Sequence, residues 1–162
     1  LPLYYYQTGG KVQKILQSMK YKGNEDLCIE MGKRMGLQIK KRGEILPEVI
    51  VPVPLHPQKL KLRGYNQSEL MSHGIARALE IDMDSQNLHR IHNNATQTTK
   101  SRKERWENVN EVFTLRDMNL FKGKHVLLVD DVITTGSTVE ACCNVLNQSE
   151  GIQISIATLA TA

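Results

Sequence analysis

One stretch constrains this chain more than any other: Val126-Leu127-Leu128-Val129-Asp130-Asp131-Val132-Ile133-Thr134-Thr135-Gly136-Ser137-Thr138. The apolar run His125–Val129 predicts a strand of the parallel type, covered on both faces. Two adjacent carboxylates follow at its carboxyl end, then a loop of hydroxyl residues with one glycine. A helix is predicted from about Ser137 to Gln148, with Val139, Cys142, Cys143 and Leu146 inward. The unpaired N–H groups and positive dipole end of such a helix suit a phosphate. Gly136 lets the backbone come close to an anion, and Thr134, Thr135, Ser137 and Thr138 can add hydroxyl donors. Paired acids beside a phosphate would repel it unless they grip sugar hydroxyls or a hydrated Mg²⁺. Ser137 and Glu140 also match a capping box, so the hydroxyls could serve only as helix caps.

Two other phosphate chemistries fail on inventory. A nucleotide-hydrolase loop needs G-x-x-x-x-G-K-[ST], which is absent. A phospho-accepting receiver also has an apolar strand ending in Asp-Asp, but it needs a further Asp and a Lys downstream. The 31 residues after Asp131 contain no Asp, and no Lys or Arg follows Lys124.

The remaining elements predict an α/β fold with a largely parallel sheet. A first helix opens at Thr8 or Gly9, with Val12, Ile15, Leu16 and Met19 on one stripe. Asn24 caps a second, lined by Leu27, Cys28, Met31 and Met35 and closed by Lys40-Lys41-Arg42-Gly43. Residues 49–54 read as a buried strand ended by prolines. Residues 55–66 read as a basic loop, and a helix runs from Asn66 or Ser68 to Leu79. From Leu88 to Lys100 the chain is polar and basic with no clear period, and Ser101 caps a short helix over 102–109. The last strand is Ile152–Leu159. The order is α-α-β-α-β-(α)-β-α-β, and ligands of such sheets sit at the carboxyl ends of the strands. We expect residues 1–45 to form an N-terminal helical segment packed on the core of an α/β domain, 46–162, in one globular unit.

Composition narrows the setting. At 162 residues the chain is long enough for one domain with a real core. Its apolar fraction of 40% is too high for a disordered chain. No apolar run approaches the ~20 residues of a membrane span, and no signal-peptide pattern opens the chain. The three cysteines, Cys28, Cys142 and Cys143, are odd in number and lack zinc-ligand spacing. A reducing, cytoplasmic compartment is expected. Leu1 stands where an initiator Met would, so a trimmed chain is expected. The net charge of +4 divides unevenly: residues 1–105 hold 18 Lys/Arg and 10 Asp/Glu, and residues 106–162 hold 3 and 7. That asymmetry suits a polyanionic ligand, a divalent cation or both, or simply two solvated faces of opposite sign.

The segment 126–138 closely resembles the phosphoribosyl-pyrophosphate signature of type I phosphoribosyltransferases. The likeness extends to Val51-Pro52-Val53-Pro54-Leu55, to Arg63-Gly64-Tyr65-Asn66-Gln67, and to Arg90, Gln97, Arg102, Arg105, Asn108 and Phe113. Lys20-Tyr21-Lys22-Gly23 fits it too. Together these resemble the ComF family, whose members are amidophosphoribosyltransferase-like. Members usually carry a cysteine-rich zinc module ahead of this region, and the chain has none.

The resemblance implies the type I phosphoribosyltransferase fold: a mostly parallel central sheet flanked by helices. It implies phosphoribosyl pyrophosphate as donor with Mg²⁺ as cofactor. Thr134, Thr135, Gly136, Ser137 and Thr138 would bind the 5-phosphate. Asp130 and Asp131 would be catalytic, holding the ribose hydroxyls and the metal. Residues 55–66, with Lys59, Lys61 and Arg63, look like the pyrophosphate loop, Lys61 and Arg63 being its binding residues. Residues 89–105 look like the flexible loop that closes over the site, with Arg102 and Arg105 as catalytic cations and Arg90, Lys100 and Lys103 beside them. Thr134 stands where purine-salvage relatives often carry an acid, which argues against a purine acceptor. No glutaminase domain is in view, so any ammonia would come from elsewhere.

Two functions of different class follow. One is a pentosyltransferase that moves the phosphoribosyl group to an unidentified nitrogen acceptor, with homodimer formation compatible. The other is an inactive donor-binding module, or a protein that handles single-stranded DNA in natural competence, using Trp106 and Tyr65 among basic residues.

Overall fold

The computed structural model describes residues 2–5 (backbone), 10–20, 24–43, 45–90 and 112–161. The elements in chain order are β1 (Pro2–Tyr5), α1 (Lys11–Ser18), α2 (Glu25–Arg42), β2 (Val49–Pro52), α3 (Pro57–Arg63) and α4 (Gln67–Leu79). Then come β3 (Asp82–Met83), β4 (Leu88–Arg90), β5 (Phe113–Leu115), β6 (His125–Ile133), α5 (Ser137–Leu146) and β7 (Gln153–Thr161).

Five strands form one sheet in the order β1-β7-β6-β2-β3, and every pairing in it is parallel. Strand alternation divides its side chains between two cores. Ile50, Leu127, Val129 and Leu159 pack with Leu16 and Met19 of the α1 turn, Met31 and Met35 of α2, and Met71, Ile75 and Leu79 of α4. Val49, Val51, Val126 and Leu128 pack on the other face with Val139, Cys142, Val145 and Leu146 of α5. Leu88, Phe113 and Leu115 of a separate antiparallel pair, β4–β5, close that second core.

The helices α2 and α4 meet backbone to backbone. A Cβ on Gly32 would stand 2.0 Å from the Met71 carbonyl oxygen, and one on Gly74 would stand 2.1 Å from that of Ile29. Only glycine permits this approach.

Several expectations are revised. The basic segment 55–66 contains a helix, α3. Its sequence cues were Pro57 at the first position and Gly64 (φ 89°) just past the end, while the His56 side chain accepts from the Gln58 amide at 3.2 Å. No α3 residue is buried, so there is no apolar stripe to announce it. The strands β1, β4 and β5 are too short, at three or four residues, to show a period. Strand β6 continues through the acids to Ile133, because β7 goes on pairing with it there. Of the inward pair expected on α5, Cys142 is buried while Cys143 is only partly so. The helix expected over 102–109 lies outside the described residues.

Candidate donor site at the carboxyl end of the sheet

β2 leads through α4 to β3 on one side, and β6 leads through α5 to β7 on the other. The β2–β6 boundary is therefore the switch point where open α/β sheets bind ligands. β2 stops pairing at Pro52↔Val129, and the Val53 amide makes one more bond to the Val129 carbonyl at 2.9 Å. Beyond it β6 loses this neighbour, and the next two residues are Asp130 and Asp131.

Adjacent residues on a strand point to opposite faces. Asp130 continues the row of Val126 and Leu128, and Asp131 continues that of Leu127 and Val129. The carboxylates thus straddle the sheet rather than lie side by side. Asp130 is 9% exposed. Its Oδ1 accepts from the Ser68 hydroxyl at 3.2 Å and from the Asp131 amide at 2.9 Å. Burial, and then the Asp131 charge, push its carboxyl up to about 7, against the pull of those two donors and of Lys20. Asp131 accepts from the Val132 amide at 2.8 Å, and its Oδ2 lies 3.8 Å from Lys20 Nζ.

Both acids line one cavity of about 220 Å³. Thr138 of α5 lines it as well, joined by Lys20, Lys59, Arg63 and Arg90. Arg90 comes from β4, where its guanidinium sits 5.1 Å above the Phe113 ring. Burial pushes its pKa down. Arg63 faces this cavity, whereas Lys61 is exposed on α3 and outside the lining, where Lys59 stands instead.

The loop 134–138 is open. Thr134, Thr135, Ser137 and Thr138 are exposed, and Gly136 (φ 81°) is the N-cap of α5. Gly136 has no side chain to cap with, so the Ser137–Glu140 reciprocal cap does not form. The Glu140 amide bonds instead to the Gly136 carbonyl at 2.9 Å, and Thr135 Oγ1 lies 3.0 Å from Ser137 Oγ. The hydroxyls are left facing outward beside the helix N-terminus. Arg102 and Arg105, with Lys100, Lys103 and Trp106, lie outside the described residues.

Asn66, Gln67 and Ser68, at the start of α4, line the cavity as well. Asn66 caps α4 by accepting from the Ser68 amide at 3.1 Å, and its Nδ2 donates to the Val53 carbonyl at 3.0 Å. Gln67 is 2% exposed and lines the cavity, and its Nε2 is buried with no hydrogen-bond partner among the described residues. Ser68 escapes sequence reasoning as a site residue because it reads as an ordinary helix start, and Gln67 is visible only as part of a resemblance. Lys20 is visible in sequence only as part of a resemblance.

The phosphoribosyl transferase domain model matches residues 67–162. The chain belongs to the phosphoribosyl transferase domain family, in its ComF branch. Its curated relatives in that branch include Competence protein F of Haemophilus influenzae, 39% identical over 118 residues, which cover 72% of this chain and 52% of that protein. DNA utilization protein YhgH of Escherichia coli K12 is 30% identical over 146 residues, covering 86% of this chain and 63% of that one. The ComF chain thus spans half to two thirds of these relatives. The solved structures show the type I phosphoribosyltransferase fold. The glutamine phosphoribosylpyrophosphate amidotransferase of B. subtilis superposes with a TM-score of 0.57 at 18% identity, over 87% of this chain and 30% of that one. A purine phosphoribosyltransferase of Pyrococcus horikoshii gives 0.52 at 19%, over 81% and 74%. Among the described residues no helix of this ComF chain is long and apolar enough to cross a membrane.

Proposed function

We propose that this chain binds phosphoribosyl pyrophosphate with Mg²⁺ and transfers the phosphoribosyl group to a nitrogen acceptor with release of pyrophosphate. The observation that supports it best is one cavity lined by Asp130, Asp131 and Thr138 together with Lys59, Arg63 and Arg90. Displacing pyrophosphate at the anomeric carbon builds positive charge on the ribose and negative charge on the leaving group. Carboxylates and cations lining the same cavity supply charges of both signs for that separation.

Each part then has a task. The exposed loop 134–138 and the first turn of α5 seat the 5-phosphate through amides and hydroxyls. Asp130 and Asp131 accept hydrogen bonds from ribose hydroxyls, and Ser68 steers Asp130. Arg63 and Lys59 hold the pyrophosphate, Lys61 adds only a screened charge from the solvent side, and Arg102 and Arg105 are assigned to the same anion as further cations. The orphaned amide of Gln67 supplies a donor to a ligand oxygen.

The residues fit a hard cation. The acids provide oxygen ligands only, and Mg²⁺ typically takes one or two carboxylates and completes its shell with water and substrate phosphates. Among the described residues no three His, Cys, Asp or Glu cluster as metal ligands, so water would complete the shell of an ion on the two acids. Asp130 and Asp131 would hold the ion, directly or through water, and it would supply positive charge to the departing pyrophosphate. The reading sets the chain in a reducing cytoplasm, consistent with its free Cys28, Cys142 and Cys143.

A second reading is favoured by the relatives' names, competence and DNA utilization proteins. In it the site binds the donor without turnover, and the basic front half contacts single-stranded DNA. Calorimetry with phosphoribosyl pyrophosphate and Mg²⁺, followed by pyrophosphate release across a panel of bases and amines, tests the first. Donor binding without release on any acceptor, together with salt-dependent DNA affinity, selects the second. No donor binding at all ends the site assignment.

A further inference from the structure

Lys20 reaches the site from a part of the chain that the phosphoribosyl transferase domain model does not match. Its position is built. The preceding Met19 is fully buried, and its carbonyl accepts the Tyr65 hydroxyl at 3.0 Å, with the Cys28 thiol 3.8 Å from the same oxygen. Asn24 Nδ2 donates to both the carbonyl (3.0 Å) and the hydroxyl (2.9 Å) of Ser18. The end of α1 is thus tied to the start of α2 and to the segment before α4. Lys20, the next residue, lines the cavity with its ammonium beside Asp131.

The pair is loose. At 3.8 Å it exceeds the ~2.7–2.9 Å of a charge-assisted hydrogen bond, and Lys20 keeps 36% side-chain exposure against 18% for Asp131. Such a contact balances charge without locking two side chains together. A rigidly delivered stem with a displaceable head is what a temporary counter-ion requires.

We propose that Lys20 holds the place of the divalent cation at Asp131: it neutralises the carboxylate while the donor site is empty and yields to the metal when the donor arrives, freeing its charge for the donor's phosphate oxygens. This rests on the reading of Asp131 as a cation-binding residue. Tyr65 is then a positioning residue acting through Met19, which links the Arg63–Gln67 element to a lysine more than forty residues earlier.

The test is Mn²⁺ binding to the full chain without donor, read from the free-Mn²⁺ electron paramagnetic resonance signal at fixed ionic strength. Lys20→Met removes a competing charge at about 4 Å and is expected to tighten Mn²⁺ binding about fivefold. Lys20→Arg keeps the charge and is expected to bind Mn²⁺ as the unmodified chain does. Tyr65→Phe, which removes the hydroxyl that donates to the Met19 carbonyl, is expected to tighten it by a smaller factor. Calorimetry of Lys20→Met with phosphoribosyl pyrophosphate and Mg²⁺ is expected to show weakened donor binding. If Lys20→Met binds Mn²⁺ with unchanged affinity while Asp131→Asn abolishes binding, the Lys20 inference is overturned and the site reading stands. If Asp131→Asn also leaves Mn²⁺ binding unchanged, the cation role of Asp131 fails and this inference fails with it.

Discussion

Ser68 donates its hydroxyl to Asp130 Oδ1 across 3.2 Å, joining the first turn of α4 to the carboxyl end of β6 over 62 positions of sequence. The bond crosses the β2–β6 boundary, so the helix that follows one strand orients the acid on its neighbour. Asp130 needs such donors because it is nearly buried and stands next to a second carboxylate.

The protonation of Asp130 makes both stability and binding depend on pH. Its folded value is about 7, against 3.8 for a free carboxyl. Between those values the folded chain keeps a proton that the unfolded chain has lost. Stability therefore falls as pH rises through that window and levels off above about 7. Asp130→Asn is expected to flatten this dependence and to be more stable than the unmodified chain at pH 8, measured by urea denaturation at pH 5 and pH 8. Donor affinity should move the opposite way, rising from pH 6 to pH 8 as the acid ionises, and Ser68→Ala should shift that rise to higher pH.

Arg63 and Lys61 lie two residues apart on α3, yet only Arg63 lines the cavity. Arg63→Ala is expected to weaken phosphoribosyl pyrophosphate binding at least about tenfold, as loss of a charged hydrogen bond does. Lys61→Ala is expected to stay within about twofold at 0.15 M salt, where screening reduces exposed charges. Calorimetry on the two variants checks the contrast, and equal losses would show that α3 turns its other face to the donor.

Gly136 has φ 81°, and a Cβ there would meet nothing within 4 Å. The cost of Gly136→Ala is therefore backbone strain alone, about 1 kcal/mol in urea denaturation. Donor affinity should drop as well, because the strained turn presents the amides of α5.

Gly32 and Gly74 have no such room. Alanine at either would drive a Cβ into a backbone carbonyl of the facing helix. Each is expected to cost about 3 kcal/mol or more, since two helices must move apart. Gly43→Ala, at an exposed turn with φ 68° and open space around it, is expected to cost only about 1 kcal/mol. Parallel urea melts of the three variants test this ordering.

Much of this molecule was legible in one dimension. The strand of residues 125–129, the acids after it, the hydroxyl loop and the helix from Ser137 form a contiguous signal, because a strand, a turn and a helix N-terminus are local objects. The stripes Val12–Met19 and Leu70–Leu79 were readable because each helix buries one face. α3 went unseen because it buries nothing, and β4 and β5 because three residues carry no period.

Residue order alone determined that two carboxylates would end a buried strand beside an anion-binding turn, since backbone geometry and side-chain alternation act over a few residues. Only the tertiary structure decided what faces them. Ser68 on Asp130, Lys20 on Asp131, and Arg63 rather than Lys61 at the cavity wall depend on β2 leaving the sheet at Pro52, on glycines that let α2 and α4 touch, and on Tyr65 holding the end of α1. Those are contacts between residues tens of positions apart, and packing, not local propensity, selects them.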